Sequence, residues 1–198
     1  MFLYIFLNKG NNLTRLVDII LGTFFFLIFL PMFLIISVLI KIDSKGPIFF
    51  ISDRVGQYNQ NFKMIKFRTM FMDTELVESS MLKNPNSKIT NLGKFLRKFS
   101  LDEIPQFLCV IYGKMSMVGP RPALPSQINL INKRKTLGIE KIKPGITGYA
   151  QIKGRDFLTD DEKINLELDY LKKKNFYLDL FIIIKTFKVV FKKKGVSH

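Results

Sequence analysis

The chain is 198 residues long and 47% hydrophobic, and it carries 31 Lys+Arg against 16 Asp+Glu for a formal net charge of +15. This length supports one modest core plus an accessory segment rather than two independent domains, and the charge calls for an anionic partner such as nucleic acid, a phosphate ester or acidic lipid. The only Cys is Cys109 and the only His is His198, which excludes an intrachain disulfide and a Cys/His zinc site and leaves any catalysis to carboxylates and cations.

From the N-terminus, no charged residue occurs between Asp18 and Lys41, and Ile19 to Ile40 is almost wholly apolar. As a helix this stretch would reach about 33 Å, enough for a bilayer core. It is too long for a secretory signal and lacks a small-residue cleavage pattern at its end, so it reads as a membrane anchor. Pro31, in its middle, removes a backbone hydrogen bond and predicts a kink. Lys9 and Arg15 precede the run and Lys41, Lys45 and Arg54 follow it, so charge bias does not decide sidedness sharply. A kinked span and a re-entrant hairpin both stand. In either case the rest of the chain is expected to be cytoplasmic. The division is therefore an anchor over 1–42 and a catalytic domain over 43–198.

In the second part, Pro47 to Ile51 and Phe62 to Phe67 predict two short strands joined by a turn at Gly56 to Asn61. Helices are expected over Asp73–Leu82, Asn91–Lys98, Leu101–Ile111, Ser126–Asn132 and Asp160–Lys173, with a turn at Lys143 to Gly148. Phe176 to Phe191 is apolar, but Lys185, Lys188 and Lys192 recur on one helical face. Such a helix either lies in the headgroup plane or packs on the core with its lysines in water. The fold class is an α-rich α/β unit with few, short strands, an N-terminal re-entrant or kinked membrane helix and amphipathic interfacial helices.

Lys66 and Arg68, two apart on the second strand, are expected to share a face and could grip a diphosphate, the Arg through its planar fork and the Lys as a point charge. The adjacent pair Asp102-Glu103 follows Ser100-Leu101, a spacing that in isolation is a capping box. A helix start is also an anion site. Chemically, an Asp carboxylate can attack phosphorus while a neighbouring Glu assists. Mg²⁺ on Asp102 and substrate phosphates would offset the charge, and Arg97 and Arg121 could add countercharge. Cys109, between Leu108 and Val110, reads as a buried structural thiol.

Five ordered blocks carry a resemblance. They are Asp53-Arg54-Val55-Gly56, the run from Phe62 through Lys66-Phe67-Arg68-Thr69-Met70, Ser100 to Gln106, Met115 through Gly119-Pro120-Arg121-Pro122, and Lys143 through Gln151 with Gly154-Arg155. In order and spacing they resemble the bacterial sugar transferases, small monotopic phosphoglycosyl transferases acting on polyprenyl phosphates. The resemblance implies transfer of a sugar-1-phosphate from a UDP-sugar to undecaprenyl phosphate, with release of UMP at the cytoplasmic face of a bacterial inner membrane. That step opens the assembly of a glycan such as an exopolysaccharide, capsule or O-antigen. It further implies Asp102 as nucleophile in a ping-pong cycle with Mg²⁺, Glu103 as its assistant, and Arg97, Arg121 and Arg155 as phosphate ligands. The membrane segment is implied to be a re-entrant helix-break-helix. The implied partners are the UDP-sugar, the polyprenyl lipid and the membrane, with no nucleic acid, and other glycan-assembly enzymes or a second copy would be compatible. Leu30, Cys109, Lys114, Tyr149 and Lys153 depart from the pattern, where Ser, Asn, Asp, Trp and Asn are usual. The competing classes are a membrane-tethered binder of phosphate or nucleic acid, and a scaffold without catalysis.

Overall fold

A computed structural model of the chain describes residues 2–72, 74, 85–154 and 157–191. Arg155, Lys192 and nearly all of the helix expected over Asp73–Leu82 lie outside the described residues. The first element, α1 (Phe2–Asp43), runs unbroken through Pro31. The two halves of the apolar stretch are thus one continuous helix rather than two separated by a non-helical break. The proline ring leaves the Leu27 carbonyl without its usual amide donor. Further along, the Ser37 hydroxyl donates back to the Phe33 carbonyl at 2.7 Å, a bond that lets a helix bend.

From Arg15 to Ile40, one face of α1 docks on the rest of the molecule. Near its start, the Arg15 guanidinium donates to the carbonyls of Val110 and Ile111, each at 2.6 Å. Asp18 accepts from the Ser116 hydroxyl and the Met117 amide. Along the middle, Phe25 and Phe29 stack on Phe107, and Phe33 packs on Phe49 and Phe67. Toward the end, Ile36 and Ile40 are buried with Phe67, Leu96 and Ile104. The opposite face is an apolar stripe open to the outside, with Leu16, Ile20, Phe24, Leu27, Leu34 and Val38 all more than half exposed.

After α1, β1 (Phe49–Val55) and β2 (Asn61–Phe67) form the expected antiparallel hairpin, longer than predicted at its first strand, with Phe50 opposite Lys66. A one-turn helix α2 (Pro85–Lys88) leads to α3 (Asn91–Lys98), whose bounds are those expected because Thr90 caps it on the Gly93 amide. The helix predicted over Leu101–Ile111 is instead a single 3₁₀ turn, Leu101–Glu103, followed by α4 (Gln106–Ile111). Proline 105 has no amide with which to carry a helical ladder across that point.

Two further strands escaped the sequence reading. Here β3 (Ser116–Val118) and β4 (Gly145–Thr147) pair in parallel, Ser116 opposite Gly145 and Val118 opposite Thr147. Residues 143–148 are therefore not a plain turn. A Cβ on Gly119 would come within 2.2 Å of the Lys143 carbonyl oxygen, and one on Gly145 within 2.1 Å of the Gly119 amide nitrogen, so this contact requires bare backbone. The remainder is helical: α5 (Ile128–Thr136), α6 (Tyr149–Lys153), α7 (Asp160–Lys173) and α8 (Phe176–Phe191). The true capping box lies at Thr159 and Glu162, at the start of α7. Between α5 and α7, Arg134 and Glu167 make a buried two-pronged ion pair at 2.8 and 2.6 Å.

Candidate active site

The acid pair occupies the 3₁₀ turn, and the residue before it is held in an unusual conformation. Ser100 has φ +55° and ψ +25°, in the left-handed region, where a non-glycine residue is strained. Its side chain makes no capping bond to the turn, which corrects the capping-box expectation: the left-handed backbone turns the chain instead of starting a helix. The turn sits on Pro105, which is fully buried, and on Phe107, which α1 stacks upon. At its far end α4 is closed by Arg15 on its last carbonyls, a favourable place for a cation. The anchor helix thus grips both ends of the short segment that carries the acids.

Three of the expected cations converge there. Lys66 Nζ lies 2.7 Å from Glu103 Oε1 and 3.9 Å from Asp102 Oδ2. Arg121 Nη1 lies 3.3 Å from the same Glu103 oxygen, its side chain half exposed. Arg97, on α3, donates from Nε to the Thr69 hydroxyl at 3.0 Å and acts electrostatically on Asp102. Arg68 goes elsewhere. The second strand ends at Phe67, so alternation no longer holds one residue on. The Arg68 guanidinium is buried and donates to the Ser44 and Lys45 carbonyls at 2.7 Å, closing the end of α1. Its neighbour Gly46 has φ +127° and no room for a side chain beneath that guanidinium.

Asp102 is 8% exposed. Burial pushes its carboxyl above the ordinary carboxylate range. Lys66 opposes that shift most strongly, the Glu103 charge adds to it, and Arg97 and Arg121 oppose it. Burial also lowers Arg97, against the pull of Asp102. Three cations thus surround two carboxylates, with Arg121 at the exposed edge, an excess that suits a doubly charged phosphate group.

Sequence reasoning missed the residues that carry this geometry by long-range contact: Arg15, Asp18, Thr69 and the Arg134–Glu167 pair. Only Arg15 and Asp18, charges flanking an apolar run, gave any local signal. Two of the departures from the family pattern prove to be partners, since Lys153 Nζ lies over the Tyr149 ring at 5.4 Å. Cys109 is buried and its thiol is pushed up by burial, and Lys114 is exposed beyond the far end of α4 from the acids.

Comparison with known proteins gives the family. The family model described as bacterial sugar transferase matches residues 10–193. The UDP-N-acetylgalactosamine-undecaprenyl-phosphate N-acetylgalactosaminephosphotransferase of Aeromonas hydrophila is 33% identical over 95% of this chain and 44% of its own length. The exopolysaccharide production protein ExoY of Rhizobium meliloti is 32% identical over 94% of this chain and 88% of its own. The UDP-glucose:undecaprenyl-phosphate glucose-1-phosphate transferase of Escherichia coli is 36% identical over 88% and 39%. The chain thus spans under half the length of two of these relatives and nearly all of the third. With the matched blocks spread over almost the whole chain and the acid pair and its cations assembled in one place, the chain belongs to the bacterial sugar transferase family.

Proposed function

We propose that this chain transfers a sugar-1-phosphate from a UDP-sugar to undecaprenyl phosphate and releases UMP, the first membrane step of a surface glycan. The observation that carries the proposal is the buried Asp102 carboxylate, ringed by Lys66, Arg97 and Arg121. In the chemistry this supports, an Asp102 oxygen attacks the sugar-bearing phosphorus of the donor. The new O–P bond forms as the bond to the bridging oxygen breaks, and UMP leaves with the electron pair. An oxygen of the lipid phosphate then attacks the same phosphorus and Asp102 departs as carboxylate. A phosphate monoester is largely ionised near neutral pH, so the acceptor needs no strong base. Glu103 acts by holding Lys66 and Arg121 in place.

Among the described residues no group of three or more metal-binding side chains occurs. Asp102 is the carboxylate at the centre of the cation cluster, with Lys66 Nζ 3.9 Å from its Oδ2. One carboxylate plus diphosphate oxygens is a donor set that Mg²⁺ favours. Bound by Asp102 and the donor's phosphates, the ion would neutralise charge on the diphosphate as UMP leaves. Arg155 is proposed to add a further phosphate contact, as its block implies.

We also read the chain as seated in one leaflet of the inner membrane, with the catalytic domain on the cytoplasmic face. Two observations support this. Both ends of the apolar part of α1 are bonded to the same domain, through Arg15 and Asp18 at one end and Ile36 and Ile40 at the other. Besides the exposed stripe of α1, α8 exposes Leu180, Phe181, Ile184 and Phe187, and the two helices touch where Phe25 meets Phe187.

The test is release of UMP from a panel of UDP-sugars by purified protein with Mg²⁺ and undecaprenyl phosphate. At least one donor is expected to turn over, and Asp102→Asn is expected to lose at least about 1,000-fold. Salt-sensitive binding of oligonucleotide with no UMP from any donor would favour the binding-protein alternative.

A further inference from the structure

Thr69 belongs to none of the chemistry above, yet it touches both ends of the helix that presents Arg97. Its carbonyl accepts from the Thr90 amide at 3.0 Å, at the start of α3. The same carbonyl lies so close to Gly93 that a Cβ there would sit 2.1 Å from it. One turn later on that face of α3, the Thr69 hydroxyl accepts from Arg97 Nε. Thr69 is itself buried, 7% exposed. Gly93 and Arg97 are four residues apart and stack on one helical face, so a single residue fixes the backbone of α3 and the side chain at its end.

A guanidinium is a rigid plane with five N–H donors. A hydrogen bond at Nε stops rotation of that plane and leaves the four donors on the two Nη atoms. The charge that acts on Arg97 is that of Asp102. We propose that Thr69 is a positioning residue for the transfer: its hydroxyl locks the Arg97 plane so that the paired Nη donors face the donor's diphosphate. The proposal rests on the phosphate role given to Arg97 above. A freely rotating Arg97 would keep its charge but lose the two-pronged geometry and the ordering already built in.

The test is the affinity for UDP in the presence of Mg²⁺, measured by calorimetry on the detergent-solubilised full chain, because UDP carries the diphosphate whatever the sugar. Thr69→Val removes the acceptor at nearly constant volume and is expected to weaken UDP binding about 10-fold, as loss of a hydrogen bond to a charged group does. Thr69→Ser retains the hydroxyl and is expected to bind within about 2-fold of wild type. Thr69→Ala repeats the deletion with less bulk and is expected to match Thr69→Val. The deciding variant is the double substitution with Arg97→Ala: in that background Thr69→Val is expected to add no further loss. An equal loss in both backgrounds, or equal losses in Thr69→Ser and Thr69→Val, would overturn the positioning role while leaving Arg97 as a phosphate ligand. Wild-type UDP affinity in Arg97→Ala alone would remove the role of Arg97 and the proposal with it.

Discussion

Burial and countercharge act on Asp102 in opposite directions, and burial prevails. A carboxyl whose folded pKa is raised binds its proton more tightly in the folded protein than in the unfolded chain. It contributes its full stability below the unfolded pKa and loses it as pH rises through the folded value. An ionised Asp102 is the form that burial disfavours, so above its folded pKa it weakens the fold. Asp102→Asn should melt higher than wild type near pH 7, and the gap should shrink as pH falls through the raised pKa toward 4. Thermal unfolding across that range checks it, and a gap independent of pH would count against the buried, charged nucleophile. At this scale the candidate residues were legible: Asp102, Glu103, Lys66 and Arg121 stand in recognisable blocks, and Arg97 lies just before the block that holds the acids. Arg68 was not, because side-chain alternation is a property of a strand and β2 stops at Phe67.

Elements with strong local signals were read accurately. The α3 and α7 bounds follow from Thr90 and Thr159, whose side chains cap amides three residues on, and α8 follows from its apolar run. The β3–β4 pair was illegible because each strand is only three residues long and its partner lies far along the chain. What holds it is the close backbone approach of Gly119 and Gly145, to which no periodicity points. The 3₁₀ turn under the acids was likewise hidden, since only a left-handed Ser100 distinguishes it from a helix start. Gly93 offers a test at this scale. Adding one methyl there drives α3 off the Thr69 carbonyl, and such overpacking costs typically 1–3 kcal/mol. Gly93→Ala is expected to lower stability in denaturant titration by about that much. UMP release should fall with it, because Arg97 rides on the displaced helix.

For the whole molecule, α1 is packed into the domain that holds the candidate site and is not a separate appendage. Arg15 closes α4, Asp18 binds the start of β3, and Phe25, Phe29 and Phe33 pack beneath the segments that hold Asp102 and Lys66. Hydropathy made the helix visible, but its length alone left a span and a re-entrant path equally open. The contacts of Arg15 and Asp18 with the domain support the one-leaflet reading proposed above. In that proposed reading both ends of the apolar stretch stay on one side of the bilayer. Single cysteines at Leu13 and Asp43, with Cys109 replaced by Ala, should therefore both react with a membrane-impermeant maleimide from the cytoplasmic side of oriented vesicles. Labelling from opposite sides would identify a span.

The most direct test of the central claim is a single-turnover experiment with a UDP-sugar that the chain accepts, labelled in its sugar-bearing phosphate, and no lipid acceptor. The account predicts a burst of one UMP per active site, with the labelled phosphosugar recovered on Asp102 by peptide mass spectrometry and neither event in Asp102→Asn. UMP release that begins only when undecaprenyl phosphate is added, with no label on the protein, would contradict it.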